Sequence, residues 1–188
     1  MRITGGTFRG RALAAPKDMS VRPTSDRARQ AIFNMLMHKD FGIGFTLENA
    51  AVADLFAGTG ALGIEALSHG ARWCLMVDDA ASSRASQRAN VEALGLTGAT
   101  RIWRRDACDL GPIGPAAGGP FNLVFLDPPY RKGMIPKALA SLQAGAWLAP
   151  HALLVAETDA MEPLEAPGYR ILDERDHGET RVRFLTQE

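Results

Sequence analysis

Asp127-Pro128-Pro129-Tyr130 is the tetrapeptide whose residue types most narrowly specify a chemistry. Two prolines fix φ and remove two backbone N–H donors. A stiff pair of acceptors is left, the Asp127 carboxylate and the Pro128 carbonyl. Such a pair suits a planar –NH2 group with two protons to give. Tyr130 adds a ring on which a base can stack. The lone pair of an exocyclic amine is delocalised into its base, and methylation needs that pair aimed at the incoming carbon. Hydrogen bonds from both amine protons favour the pyramidal geometry and position the nitrogen for in-line attack. Asp127 can also take the released proton, directly or through water. A base must leave its stack to reach such a pocket.

A second constellation lies upstream. Gly58-Thr59-Gly60-Ala61-Leu62-Gly63 follows the apolar run 51–57 and opens a helical pattern. Glycines there let the backbone turn tightly and approach a ligand closely, and the helix start offers free N–H groups. Asp78 stands twenty residues after Gly58, where an acid can accept both hydroxyl protons of a ribose. NAD and S-adenosylmethionine fit this cradle alike, since both contain adenosine. Asp54 favours the second, because it would repel a pyrophosphate and attract an ammonium group. Its plainer reading is a strand-end carboxylate satisfied by backbone N–H groups. Asp106 and Ala107 stand at the end of the short strand RIWRRD and border the same crevice. The Asp106 side chain can accept from an adenine amino group and the Ala107 N–H can donate to the ring; Asp106 as a turn cap is the alternative.

The elements that must position these residues alternate along the chain. Strands are expected at 51–57, 73–78, 101–106, 121–127 and 151–157, with helices at about 61–69, 81–94 and 134–144. Near-continuous apolar strands separated by helices indicate an α/β, Rossmann-like, doubly wound and mostly parallel sheet. The tail, 169–176 and 180–186, alternates polar and apolar residues around His177-Gly178, which makes seven strands with an antiparallel edge hairpin. Residues 111–120, GPIGPAAGGP, read as a flexible surface loop. Residues 1–14 alternate weakly and suggest a small β-hairpin. A helix follows, capped by Thr24 or Ser25, with Ala28, Ile32, Phe33, Leu36 and Met37 as its apolar stripe.

Composition bounds the function classes. The chain of 188 residues is 46% hydrophobic and 22% charged, which excludes a disordered chain and suits one domain with a small appendage. No apolar run approaches a membrane span or a signal peptide, so the cytoplasm is the expected compartment. Cys74 and Cys108 form neither a CxxC nor a Cys/His cluster, so no metal or disulfide framework is expected. The net charge is +0, yet residues 1–40 carry a balance of +5 and residues 41–188 one of −5. A basic arm on an acidic body suits a polyanion partner. This division sets the expected domains: 1–40 as a basic hairpin and helix that would face such a partner, 41–188 as the catalytic body.

Together these residues resemble the class I S-adenosylmethionine-dependent methyltransferases that act on exocyclic amines. At family level the chain is similar to the bacterial 16S rRNA (guanine-N2)-methyltransferases that modify the small ribosomal subunit. The matching segments are ITGGTFRGRAL, VRPTSDRARQAIFNML, DLFAGTGALGIEALSHGA and FNLVFLDPPY. The resemblance implies that Asp54, Phe56, Ala57, Gly58 and Gly60 hold the methionine part of the cofactor. It puts Asp78 on the ribose, Asp106 and Ala107 on the adenine, and Asp127 through Tyr130 on the target amine. Arg22, Pro23 and Thr24 would close over the cofactor. Arg2, Arg9 and Arg11 would touch RNA phosphates, and Arg131 and Lys132 flank the pocket on the same side of the chemistry. The family often has a second acid two residues after the ribose acid; here that position is Ala80, with Asp79 beside Asp78. Strand alternation would send only one of the two into the crevice, and Asp78 is favoured. The implied partner is 16S rRNA within the small subunit or an assembly intermediate, met by a monomer.

Three other functions fit parts of the pattern. A DNA adenine-N6 methyltransferase would use the same tetrapeptide, but the chain has little room for a separate target-recognition domain. An NAD-dependent oxidoreductase explains the glycines and Asp78 but leaves Asp127 to Tyr130 and the basic arm unused. A non-catalytic RNA-binding module has no need of Asp127.

Overall fold

The structure, a computed structural model, describes residues 1–17 and 24–188. Arg22 and Pro23, expected to close over the cofactor, lie outside the described residues. The described elements are α1 (Asp26–His38), β1 (Ala51–Leu55), α2 (Ala61–Ser68), β2 (Trp73–Val77), α3 (Ala81–Ala93), β3 (Thr100–Trp103), β4 (Phe121–Leu126), α4 (Met134–Ala144), β5 (Leu148–Asp159), β6 (Tyr169–His177) and β7 (Thr180–Gln187). The seven strands form one sheet in the order β3-β2-β1-β4-β5-β7-β6. Pairs from β3 through β5 are parallel, and β7 runs antiparallel to both neighbours. The Rossmann-like α/β reading holds, including the antiparallel edge. Strand order reverses between β1 and β4, so the two constellations sit on opposite sides of one switch point.

The period-2 geometry of strands divides the core in two. Val52, Cys74, Met76, Leu123, Phe125 and Val155 face α1, α2 and α3, where they meet Ile32, Phe33, Ile64 and Val91. Ala51, Ala53, Leu75, Val77, Val124 and Leu154 face α4, where they meet Ile135, Leu139 and Leu142. Every residue of β1 is buried, as a strand covered on both faces requires.

Residues 111–120 differ from the flexible loop expected. They cover the second face where the β3–β4 connection has no α-helix. Trp73 Nε1 donates to Ala117 O at 2.9 Å and Trp147 Nε1 donates to Gly111 O at 2.8 Å. Ala117 is fully buried. The glycines serve close approach here: a Cβ on Gly118 would sit 2.2 Å from Trp73 Nε1. The third strand also ends earlier than expected, at Trp103, leaving Arg104 to Asp106 beyond the sheet.

The N-terminal hairpin is present as one antiparallel bridge, Arg2 to Ala12, with Ile3 N donating to Arg11 O and Leu13 N to Met1 O. Two full strands do not form because the turn is drawn onto α2. Thr7 N donates to Ser68 O, and Cβ atoms on Gly5 and Gly6 would collide with His69 and the Ser68 carbonyl. Ser25, rather than Thr24, caps α1 by accepting from Ala28 N at 3.1 Å. Met37 is a correction to the expected stripe: it is 44% exposed. Arg29 takes a place on the buried face instead. It is fully buried and paired with Glu65 of α2 at 2.9 Å.

Candidate active site

A cavity of about 490 Å³ opens at the carboxyl ends of β1, β2 and β4. That volume is within the range of small-molecule and cofactor pockets. One wall is the turn after β1. Phe56, Gly58 and Gly60 all have positive φ, at 61°, 56° and 82°. The three motif glycines have different reasons. Gly58 lines the cavity and nothing stands near its missing Cβ, so backbone conformation and open approach explain it. Gly60 caps α2, and a Cβ there would meet Met76 Sδ at 2.9 Å. A Cβ on Gly63 would lie 2.5 Å from Cys74 Sγ, so that glycine lets α2 close on the sheet. From α3, Gln87 Nε2 donates to Gly58 O and Asn90 Nδ2 to Thr59 O. Asn90 also exchanges hydrogen bonds with both backbone groups of Ala14, which ties the arm to the same loop.

Of the residues expected at the cofactor, Asp54, Phe56, Ala57 and Gly58 line this wall. Asp78, Asp79, Asp106 and Ala107 line the next. Gly60 stands behind the loop rather than in the cavity. Both Asp78 and Asp79 border the cavity, unlike the alternation expected, because β2 has already ended at Val77. Asp78 Oδ2 accepts from Gly58 N at 2.8 Å and Oδ1 from Ala80 N at 2.9 Å, so it shapes the glycine turn as well. Asp54 Oδ2 accepts from Gly63 N at 2.9 Å, and Asp106 Oδ1 from Cys108 N at 2.8 Å. The plainer backbone-satisfying roles of both acids are therefore real, and both still face the cavity.

Asp127 and Pro129 line the opposite wall with Thr24 and Lys132. Thr24 Oγ1 lies 2.9 Å from Asp127 Oδ2 and 2.7 Å from Glu157 Oε2. Pro128 and Tyr130 stand on the far side of the turn, where they border a small cleft with Glu157. The Tyr130 hydroxyl donates to Glu157 Oε1 at 2.8 Å and is 2.9 Å from Thr180 Oγ1. Arg131 is turned away from the cavity and paired with Asp159 at 2.9 Å. Arg2, Arg9 and Arg11 are exposed on the arm. Arg2 and Arg11 spend one guanidinium nitrogen each on backbone carbonyls, of Gly10 and Ala93.

The electrostatics are those of a cation site. Five carboxyls line the cavity (Asp54, Asp78, Asp79, Asp106, Asp127) against three cationic side chains (Arg29, Arg105, Lys132). Burial pushes Asp54 up to about 8, despite the Gly63 N–H that opposes it, and the Asp78 charge adds to the effect. Burial likewise raises Asp78 against the N–H groups of Ala80 and Gly58. Burial and then the neighbouring Glu157 raise Asp127, and burial raises Glu157. Carboxyls crowded this way gain when a positive ligand enters and lose when a pyrophosphate does.

Sequence reasoning passed over Glu157, Arg29 and Glu65. Glu157 had a signal: it ends the apolar run ALLVA as Asp127 ends FNLVFL, on the neighbouring strand. Arg29 and Glu65 had none, since a charged residue at a core position of an amphipathic helix is visible only through its partner.

The family described as "Conserved hypothetical protein 95" matches residues 1–186. The ribosomal RNA small subunit methyltransferase D of Escherichia coli strain K12 is 31% identical over 192 residues, covering 100% of this chain and 90% of that protein. The protein of the same name from Haemophilus influenzae is 30% identical over 186 residues, covering 98% and 92%. The solved structure of yhhF from Escherichia coli superposes with a TM-score of 0.81 at 29% identity, covering 100% of this chain and 98% of that chain. Matched over nearly its whole length, the chain belongs to this family, and it is similar to these methyltransferases in sequence and in fold.

Proposed function

We propose that this protein is an S-adenosylmethionine-dependent rRNA methyltransferase that modifies the exocyclic N2 amine of a guanine in 16S rRNA. The observation that carries the reading is Asp127, held by Thr24 on the wall of an acid-lined cavity, opposite the glycine turn. The relatives' names, ribosomal RNA small subunit methyltransferase D, supply the substrate class.

The cavity residues fit the cofactor. Asp54 and the Phe56 to Gly58 turn would hold its methionine part, with Gly60 keeping the turn in shape. Asp78 and Asp79 would take the ribose, and Asp106 and Ala107 the adenine. When bound, the cofactor supplies a methyl group on a positive sulfur that departs as a neutral thioether. Everything else falls to the chain. Asp127 and the Pro128 carbonyl accept the two protons of the target amine and aim its lone pair. Among the described residues, nothing hydrogen-bonds Asp127 Oδ1, which leaves that oxygen for the amine. Asp127 then takes the proton the nitrogen releases. Tyr130, expected from the sequence to stack on the base, stands on the far side of the turn and braces Glu157 through its hydroxyl instead. Exposed Arg2, Arg9 and Arg11 on the arm, with Lys132 beside the turn, meet phosphates, Arg131 being engaged by Asp159, and the substrate's own folded shape supplies specificity. A monomer acting on the small subunit or an assembly intermediate fits this arrangement.

The test is transfer of labelled methyl to unmodified small subunits, to naked RNA and to DNA, followed by nucleoside analysis. Label in N2-methylguanosine is expected. Label confined to N6-methyladenine in DNA would overturn the substrate, and protection of the protein by NAD rather than by S-adenosylmethionine would overturn the cofactor.

A further inference from the structure

Behind the Asp127 turn one hydroxyl stands between two carboxyls, and a single proton cannot serve both contacts. Thr24 has one hydroxyl proton, yet its oxygen lies within hydrogen-bond distance of both Asp127 Oδ2 and Glu157 Oε2. If both carboxyls were ionised, one of these oxygen–oxygen contacts would contain no proton. It would be a repulsion between a lone pair and a buried anion. One further proton resolves it, because a protonated carboxyl can donate to the threonine oxygen while the threonine donates to the other carboxyl. Glu157 is 5% exposed, and its second oxygen already accepts from Tyr130, so the pair is largely withdrawn from solvent.

We infer that Asp127 and Glu157 share a single proton through the Thr24 hydroxyl, and that Glu157 takes it whenever Asp127 engages an amine. The active arrangement is then a directional chain. Thr180 donates to Tyr130, Tyr130 to Glu157 Oε1, Glu157 Oε2–H to Thr24, and Thr24 to Asp127 Oδ2. The chain leaves Asp127 ionised and its Oδ1 free. Glu157 is thus a positioning residue that acts through Asp127, and two carboxyls this close cannot both ionise cheaply. The upward shifts of both groups agree with this geometry.

The surrounding charges are accounted for. From β1, Asp54 adds negative charge beside Asp127. From β6, His177 favours an ionised Glu157 when it is charged. Arg183 of β7 is turned to Thr158, Glu162 and Glu174, and Arg131 to Asp159. Lys132 and Arg29 border the cavity near the Asp127 and Thr24 end of the chain.

That this proton matters for methyl transfer rests on the function proposed above; that the pair shares it does not. The ligand-free protein can be titrated by infrared spectroscopy, following the carbonyl stretch of protonated carboxylic acid with labelled glutamate, and with labelled aspartate in an Asp54→Asn background because Asp54 is itself pushed up to about 8. A band is expected at neutral pH, and its midpoint should fall by about one pH unit or more in Glu157→Gln and in Asp127→Asn, since each removes the neighbouring charge. A midpoint unmoved by removing the other carboxyl overturns the inference, and whichever variant folds suffices. In turnover, the acid limb of kcat should move to lower pH in Glu157→Gln. Glu157→Ala should lose about ten- to a hundredfold in kcat with cofactor affinity kept, and the glutamine should recover most of it. An acid limb that stays in place while the infrared midpoint moves would overturn Glu157's role in the reaction. If the wild type methylates no nucleic acid, the proposed function fails and the infrared titration alone decides the shared proton.

Discussion

Asp54 shows at the residue scale how function and stability oppose one another. Its carboxyl is 1% exposed and pushed up to about 8, so folding favours its protonated form. The stability it contributes is full below about 3.8 and is lost as pH rises through about 8. Asp54→Asn should therefore flatten the decline in melting temperature of the ligand-free protein between those limits. The same substitution should weaken S-adenosylmethionine by about tenfold or more, measured by calorimetry, because a partner for its ammonium group is gone. Greater loss of stability above neutral pH in the variant would contradict the assignment. Gly63 makes a purely steric prediction. Gly63→Ala should cost about 1–3 kcal/mol in chemical denaturation, since its Cβ would sit 2.5 Å from Cys74 Sγ and close to Asp54. These residues were legible in the sequence because their types are rare in such places: glycines after an apolar run, acids at strand ends, and two prolines together. What the sequence hid was the partner of each. Asp127 announced itself, and Glu157 became visible only when β5 was seen beside β4.

At the scale of elements, the buried Arg29–Glu65 pair joins the arm, α1 and α2. Arg29 Nε donates to Glu65 Oε2, and other guanidinium nitrogens reach Asp26, Arg2 O and, at 3.4 Å, Thr24 O. Glu65 also accepts from Thr4 N at 2.9 Å, Thr4 Oγ1 at 2.5 Å and Gly5 N at 2.9 Å. Burial alone would raise Glu65, but His69 at 3.7 Å and the hydrogen bonds from Thr4 and Arg29 hold it down to about 2. The stabilisation is complete above about 4.5 and lost as pH falls toward 2. Arg29→Ala should cost about 3–5 kcal/mol, because it strands a buried carboxylate. Hydrogen exchange should rise first in residues 1–14 and α1, with β1 and β4 still protected. Paired replacement of Arg29 and Glu65 by leucine should recover much of the stability but not the placement of Thr24. The elements themselves were legible from periodicity, and strands covered on both faces gave the clearest signal. The β3–β4 connection was not, because glycine and proline read as looseness where they serve close approach to Trp73. Arg29 likewise broke the apolar stripe of α1 without leaving its buried face.

At the scale of the whole molecule charge divides the chain, with a balance of +5 over residues 1–40 and −5 over residues 41–188. Phosphate contacts made by the arm should be separable from cofactor binding. Arg9→Ala and Arg11→Ala should each weaken RNA binding and reduce the slope of log affinity against log salt by about 0.7–0.9. Cofactor affinity should not change. An unaltered slope would move the RNA contact off the arm. The charge asymmetry was plain in the sequence, but the attachment was not: the arm is held by Asn90, Ser68 and Glu65, residues with no distinguishing pattern of their own. Among the described residues no helix is long and apolar enough to cross a membrane.

The central claim is that Asp127 handles the target amine at the edge of the cofactor cavity. It is tested most directly by methyl transfer to unmodified small subunits with Asp127→Ala, read as N2-methylguanosine alongside cofactor affinity on the same preparation. The account predicts loss of product by about a hundredfold or more, with cofactor affinity within a few fold of the wild type. Product formed at the wild-type rate by a folded Asp127→Ala protein would contradict it.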